Sequence, residues 1–299
     1  MANKTVRIGA INIVTHPHSP QNYIKLLQKA EKLNRPIHLM GDTFGSLSFV
    51  SKEKTDKVDN SIITGEFIKY TDIDFNSEWY NTVSRTSATK EELKKVNELP
   101  KNLKPNSARF SFVFYPDSHI MLFETKYDNK TFSQNFAQKV LISLFESPEI
   151  FDKFGKVNVT IIPQVDKVSK ILSDKTLSYL NVVIEHKPNP DDVKSAEAKV
   201  KKRLARLNAE SQKTILTAPK GENLTLDEEE KIIAKVAAKN GFVEAKVTNE
   251  DNRVELVSTK SHPFYEPIVY DSKTTDAFSK IKDLGPKIIS KISKWISDD

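Results

Sequence analysis

The chain has 299 residues, 38% of them hydrophobic and 29% charged, with 46 Lys and Arg against 40 Asp and Glu and hence a formal net charge of +6. That length suits about two domains of ~100–200 residues each, and the composition provides for a packed core and argues against wholesale disorder. Cysteine is absent, which excludes disulfides, thiolate zinc sites, iron–sulfur clusters and a Cys nucleophile; with 8 Gly and neither GxxxxGK before Ser or Thr nor GxGxxG, nucleotide-driven enzymes are disfavoured as well.

In chain order, VRIGAINIV at Val6–Val14 reads as a strand, and Pro20–Asn34 as a helix with Tyr23, Leu26, Leu27, Ala30 and Leu33 at helical spacing. Short β-rich runs between Ile37 and Thr71, such as GSLSFV and SIITGEFIKYT, favour an antiparallel sheet. A charged helix over Thr89–Leu99 leads into LPKNLKPNS, whose prolines and polar residues make 99–107 the expected linker between domains. ARFSFVFY and HIMLFETKY flank Pro116-Asp117-Ser118, a hairpin signal. Helices over Ser133–Phe145 and Pro148–Phe154 follow, then the strand VNVTII, a helix Asp166–Leu172 and the strand LNVVIEH. A helix Pro190–Ser211, the strand TILTA, a helix Asp227–Lys239 and a paired FVEAKVT and RVELVST come next. The expected class is α+β, two domains with mainly antiparallel sheets flanked by helices: 1–98, a linker 99–107, 108–272, and a C-terminal helical segment 273–299.

Absence of Cys suits a reducing compartment, and no apolar run approaches the ~18–20 residues of a membrane span. MANKTVRIGA lacks a continuous apolar core of the kind a signal peptide needs. A cytoplasmic protein is therefore expected, and a pI near 9.1 is compatible with a polyanionic partner.

Two basic clusters carry that idea. In the helix from Pro190, the apolar stripe Val193, Ala196, Val200, Leu204 and Leu207 leaves Lys194, Lys199, Lys201, Lys202, Arg203 and Arg206 for the opposite arc. Closely spaced cations of this kind can track phosphates by releasing condensed counterions; the plain alternative is a solvated helix face. In the C-terminal segment, Gly285 can end one helix and Pro286 start another. Ile281–Lys287 then resembles a helix-hairpin-helix motif, although Asp283 stands where that turn usually has glycine. Lys287, Lys291 and Lys294 follow on one side, opposite Ile288, Ile292, Trp295 and Ile296. A helix docked on the core, a DNA hairpin, and an interfacial or partner-binding helix are the three readings.

Other constellations are weaker. Pro116-Asp117 with Glu124-Thr125-Lys126 matches the letters of the PD-(D/E)xK nuclease signature, whose carboxylates hold Mg²⁺, but seven residues of strand would separate the carboxylates by roughly 23 Å. His16 and His18 lack a completing metal motif, Asp72, Asp74 and Glu78 share a face only on a strand, and Lys260-Ser261-His262 has no orienting carboxylate. No catalytic residue, metal ligand or cofactor is assigned.

LSYLNVVIEHKPNPDD at 177–192, the basic helix after it, TILTAPKGENLT, and AAKNGFVEAKVTNEDNRVELVSTKSHP resemble bacterial anti-phage proteins and, more distantly, the RexA-like phage-exclusion family. The resemblance spans 108–270 and implies a homodimeric, non-enzymatic α+β protein that binds DNA and takes part in excluding phage. RNA is the alternative polymer. A Mg²⁺-dependent nuclease and a sensor or scaffold that binds a phage or defence-system protein are the alternative functions.

Overall fold

A computed structural model describes residues 3–16, 19–54, 61–127, 129–188 and 195–297. The first strand, β1 (Asn3–Thr15), is followed by α1 (Pro20–Lys32) and the meander β2 (Ile37–Met40), β3 (Thr43–Lys54) and β4 (Ser61–Thr71). A small ladder of β5 (Tyr80–Asn81) and β6 (Thr86–Ser87) and the helix α2 (Lys90–Asn97) lead to the hairpin of β7 (Ala108–Tyr115) and β8 (Ile120–Glu124). A second small ladder, β9 (Lys126–Tyr127) with β10 (Lys130–Thr131), precedes α3 (Gln134–Phe145), α4 (Pro148–Phe154) and β11 (Val157–Ile161). Then come α5 (Val165–Leu172), β12 (Tyr179–Ile184), α6 (Ala196–Arg206), β13 (Gln212–Thr217) and α7 (Glu228–Asn240). β14 (Gly241–Thr248), β15 (Val254–Ser258), β16 (Glu266–Asp271) and α8 (Ala277–Ser297) complete the order.

The class is α+β with antiparallel pairing throughout the large sheet, whose order is β11-β1-β8-β7-β4-β3-β2. Its spine is β1, which pairs β8 on one side and, on the other, β16 along Asn3–Ile8 and β11 along Ile11–Thr15. Alternation sends successive side chains to opposite faces. Ile11, Ile13, Phe110, Phe112, Phe114, Met121 and Phe123 join the core under α1 and α3. Val6, Ile8, Ala10, Val113, Ile120 and Leu122 instead meet Ile281, Ile288 and Ile292 of α8.

The domain boundary expected at 99–107 does not separate two bodies. β4 and β7, on either side of it, pair from Ile63 with Phe114 to Lys69 with Ala108. Prolines and polar residues mark an exposed loop, and an antiparallel partner can arrive from any distance in the chain. The smaller layer lies later: β13-β12-β14-β15 backs onto α6 and α7 around Leu180, Val182, Val200, Leu204, Ala237 and Val243.

Nor does Gly285-Pro286 make a helical hairpin, because α8 runs unbroken through both. An internal proline costs about 3 kcal/mol. Ile281, Ile288, Ile292 and Trp295 are all buried, and at about 1.5–3 kcal/mol each their burial outweighs that cost. Gly285 allows close approach: a Cβ there would lie 1.9 Å from Tyr115 Oη. Of the three readings of this segment the docked helix is the one observed. On its apolar side Ile281, Ile288, Ile292 and Trp295 are covered by the fold. No described helix is long and apolar enough to cross a membrane.

Candidate nucleic-acid interface

The helix α6 begins at Ser195, whose Oγ accepts from Ala198 N at 3.2 Å. Ala198, Val200 and Leu204 are buried and hold one side against α7 and the small sheet. Glu197 turns inward to Lys239 of α7, 3.0 Å away, with side chains only 10% and 7% exposed. Asn240 Nδ2 donates to the other Glu197 oxygen at 2.9 Å, and Asn12 Nδ2 of β1 reaches the Lys239 carbonyl at 3.4 Å. The acid that could neutralise the outer face is thus spent on the inner one.

The outer face carries Lys199, Lys202, Arg203 and Arg206, all exposed. At 3.6 residues per turn they share an arc of about 100°, and none has an ion-pair partner among the described residues. Arg203 and Arg206 occupy the last turn, where the negative end of the helix dipole favours cations. Lys201 departs from the expected arc. It is partly buried on the other side of the helix, near enough to His16 at the end of β1 for its charge to act on that ring. His16 Nε2 donates to the Lys187 carbonyl at 3.1 Å; loss of hydration lowers its pKa, and the charges of Lys201 and Lys187 lower it further. Lys194 and the expected helix start at Pro190 lie outside the described residues.

Lys287, Lys291 and Lys294 do share one side of α8, and they line a cleft of about 920 Å³ between α5, β16 and α8. The cleft also contains Asp166 and Glu266, and Glu266 pairs with Lys291 at 3.1 Å. Charge there is mixed rather than uniformly basic. Because α8 is continuous, Pro286 has no free helix N-terminus beside it to present to a phosphate.

The alternative chemistry is not assembled. Asp117 sits in the β7–β8 turn, whereas Glu124 ends β8 and is buried. The span of Ile120–Glu124 alone is about 13 Å, too far for a shared ion. Glu124 Oε2 accepts from Ser111 N at 2.9 Å, and burial pushes its pKa up. Asp72 pairs with Lys104, Asp74 accepts from Asn76 N, and Glu78 accepts from Ser87 Oγ, so these acids are dispersed. Lys260 pairs with Glu185, while His262 Nδ1 lies 3.2 Å from the Ser258 carbonyl. Among the described residues no group of three or more His, Asp or Glu is placed to hold a metal ion. His18 lies outside them.

Sequence reading missed the Glu197–Lys239–Asn240–Asn12 network, since nothing in the pattern marks Lys239 as different from the solvated lysines around it. It also missed that Lys25, Lys153 and Lys187 come near His16, a grouping that only the packing of β1, α1 and α4 creates. Residues 4–285 match a family model described as a domain of unknown function, DUF4747. None of the curated proteins compared with the chain matches it.

Proposed function

The chain belongs to the DUF4747 family, and from its surface chemistry we propose that it is a non-enzymatic protein that binds nucleic acid, duplex DNA in the first instance, without reading its sequence. The observation that supports this reading is the outer arc of α6. Lys199 to Arg206 span about 10 Å of helix axis, a length over which duplex DNA presents about six phosphate charges. Four cations facing that row, without an ion-pair partner among the described residues, favour backbone contact, which positions a protein but carries no base information. The inward Glu197 leaves no acid of α6 itself on the arc among the described residues. The lysines of α8 stand outside the proposal because Asp166 and Glu266 share their cleft. A homodimeric state and a part in excluding phage, which the resemblance to RexA-like proteins implies, and the cytoplasmic location that the absence of Cys suits belong to the same proposal.

The test is fluorescence anisotropy with a labelled duplex, using the wild type and a variant carrying Lys199→Gln, Lys202→Gln, Arg203→Gln and Arg206→Gln. The expected result is binding by the wild type and at least a tenfold loss in the variant, with the duplex intact after incubation with Mg²⁺. Equal binding by both proteins would overturn the assignment to α6, and Mg²⁺-dependent cutting would overturn the non-enzymatic reading.

A further inference from the structure

A second basic feature lies apart from the α6 arc. The end of β1, the first turns of α1 and the end of α4 border a half-open cavity of about 470 Å³ whose lining, among the described residues, includes Thr15, His16, Asn22, Lys25 and Lys153 and no carboxylate. Thr15 is only 3% exposed, and its buried hydroxyl has no hydrogen-bond partner among the described residues. A buried polar atom left unpaired costs about 1–3 kcal/mol, and Thr15 is one of the residues that line this cavity. α1 points its N-terminal end at the same space: Asn22 is in its first turn, no acid is found there, and Ser19 at the N-cap accepts no backbone N–H of the turn, its Oγ donating instead to Gln21 Oε1 at 3.0 Å. Among the described residues the positive end of the helix dipole therefore has neither an acid nor a side-chain cap, an arrangement suited to an anion.

We propose that this cavity binds a phosphoryl group carried by a nucleotide, either free or at the end of a nucleic-acid strand. Lys25 and Lys153 supply charge, Thr15 and Asn22 supply hydrogen bonds, and the first turn of α1 supplies its dipole. The volume exceeds what a lone phosphate fills and leaves room for the attached sugar. The inference does not rest on the α6 reading, since no α6 residue lines the cavity.

The full-length protein would be titrated calorimetrically with inorganic phosphate, adenosine, adenosine 5′-monophosphate, and a decanucleotide with either a 5′-phosphate or a 5′-hydroxyl. Tighter binding of the monophosphate than of adenosine supports the proposal and identifies a free nucleotide as the source. A preference of at least tenfold for the phosphorylated decanucleotide, with no binding of the monophosphate, supports it with the strand end as the source. In either case Lys25→Ala with Lys153→Ala is expected to weaken binding at least tenfold. Thr15→Val should weaken it several-fold without lowering Tm, and the fourfold Gln variant of α6 should leave the phosphate preference intact. Equal binding of adenosine and its monophosphate together with no effect of the 5′-phosphate, absence of binding by every probe, or unchanged affinity in the Lys25/Lys153 variant would each overturn it.

Discussion

His186, just after β12, is 3% exposed, and burial holds its pKa down to about 4. Its Nδ1 donates to the Lys187 carbonyl at 3.2 Å, so Nε2 of the neutral ring accepts from Thr160 Oγ1 at 3.0 Å. In the unfolded chain the same ring titrates near 6.5. Between those values the unfolded state binds the extra proton, so stability is complete above pH 6.5 and falls as pH drops toward about 4. The full difference corresponds to about 3 kcal/mol. His16, also lowered, acts in the same direction, whereas Glu124, raised by burial, acts oppositely and loses its contribution as pH rises above 4.5. Urea unfolding at pH 7 and pH 4.5 is expected to show a smaller loss of stability in His186→Gln than in the wild type. Parallel losses would show that the ring is not the group responsible.

At the scale of elements, α6 is oriented by its buried ion pair. Removing one partner of such a pair leaves a charge stranded in the interior and typically costs about 3–5 kcal/mol, while replacing both by apolar groups is far milder. Lys239→Met is therefore expected to lower stability by an amount in that range. Lys239→Met combined with Glu197→Leu should recover most of the loss, the remainder being Asn240, which donates to the same carboxylate. Additive losses in a thermal or urea double-mutant cycle would contradict a direct pair. The basic arc itself was legible in the sequence, because Val200 and Leu204 fix which side of α6 faces inward. What the one-dimensional pattern misplaced was Lys201, which lies within the buried half of the helix turn. For α8 the capping signal of Gly285-Pro286 competed with a longer-range one. Ile281, Leu284, Ile288, Ile292 and Trp295 keep one helical stripe straight through the pair, and burial of that stripe decided the outcome.

For the whole molecule, the β7–β8 hairpin, α1 and the α+β class could be read from local signals, but the partition into domains could not. Sheet order places β8 and β7 between β1 and β4. The segment 1–98 thus contributes the meander β2-β3-β4 and the separate strand β1, and all the partners of β1 and the second partner of β4 come from beyond the expected linker. Residues 1–98 alone are expected to show no cooperative unfolding transition by circular dichroism, whereas the full chain shows one. A folded fragment would mean that β1 and β4 find other partners. The same long-range pairing carries the chain from the large sheet to the layer that bears α6, so the proposed DNA surface depends on the sheet without being part of it.

That surface makes a quantitative demand. Each phosphate neutralised contributes about 0.9 to the slope of log K against log salt concentration, so the four cations of α6 should account for a slope of about 3–4. The direct measurement is duplex binding by the wild type and the fourfold Gln variant across a series of salt concentrations. A wild-type slope steeper than the variant's by about 3–4 is the expected result. Parallel lines would show that DNA, if held at all, is held elsewhere.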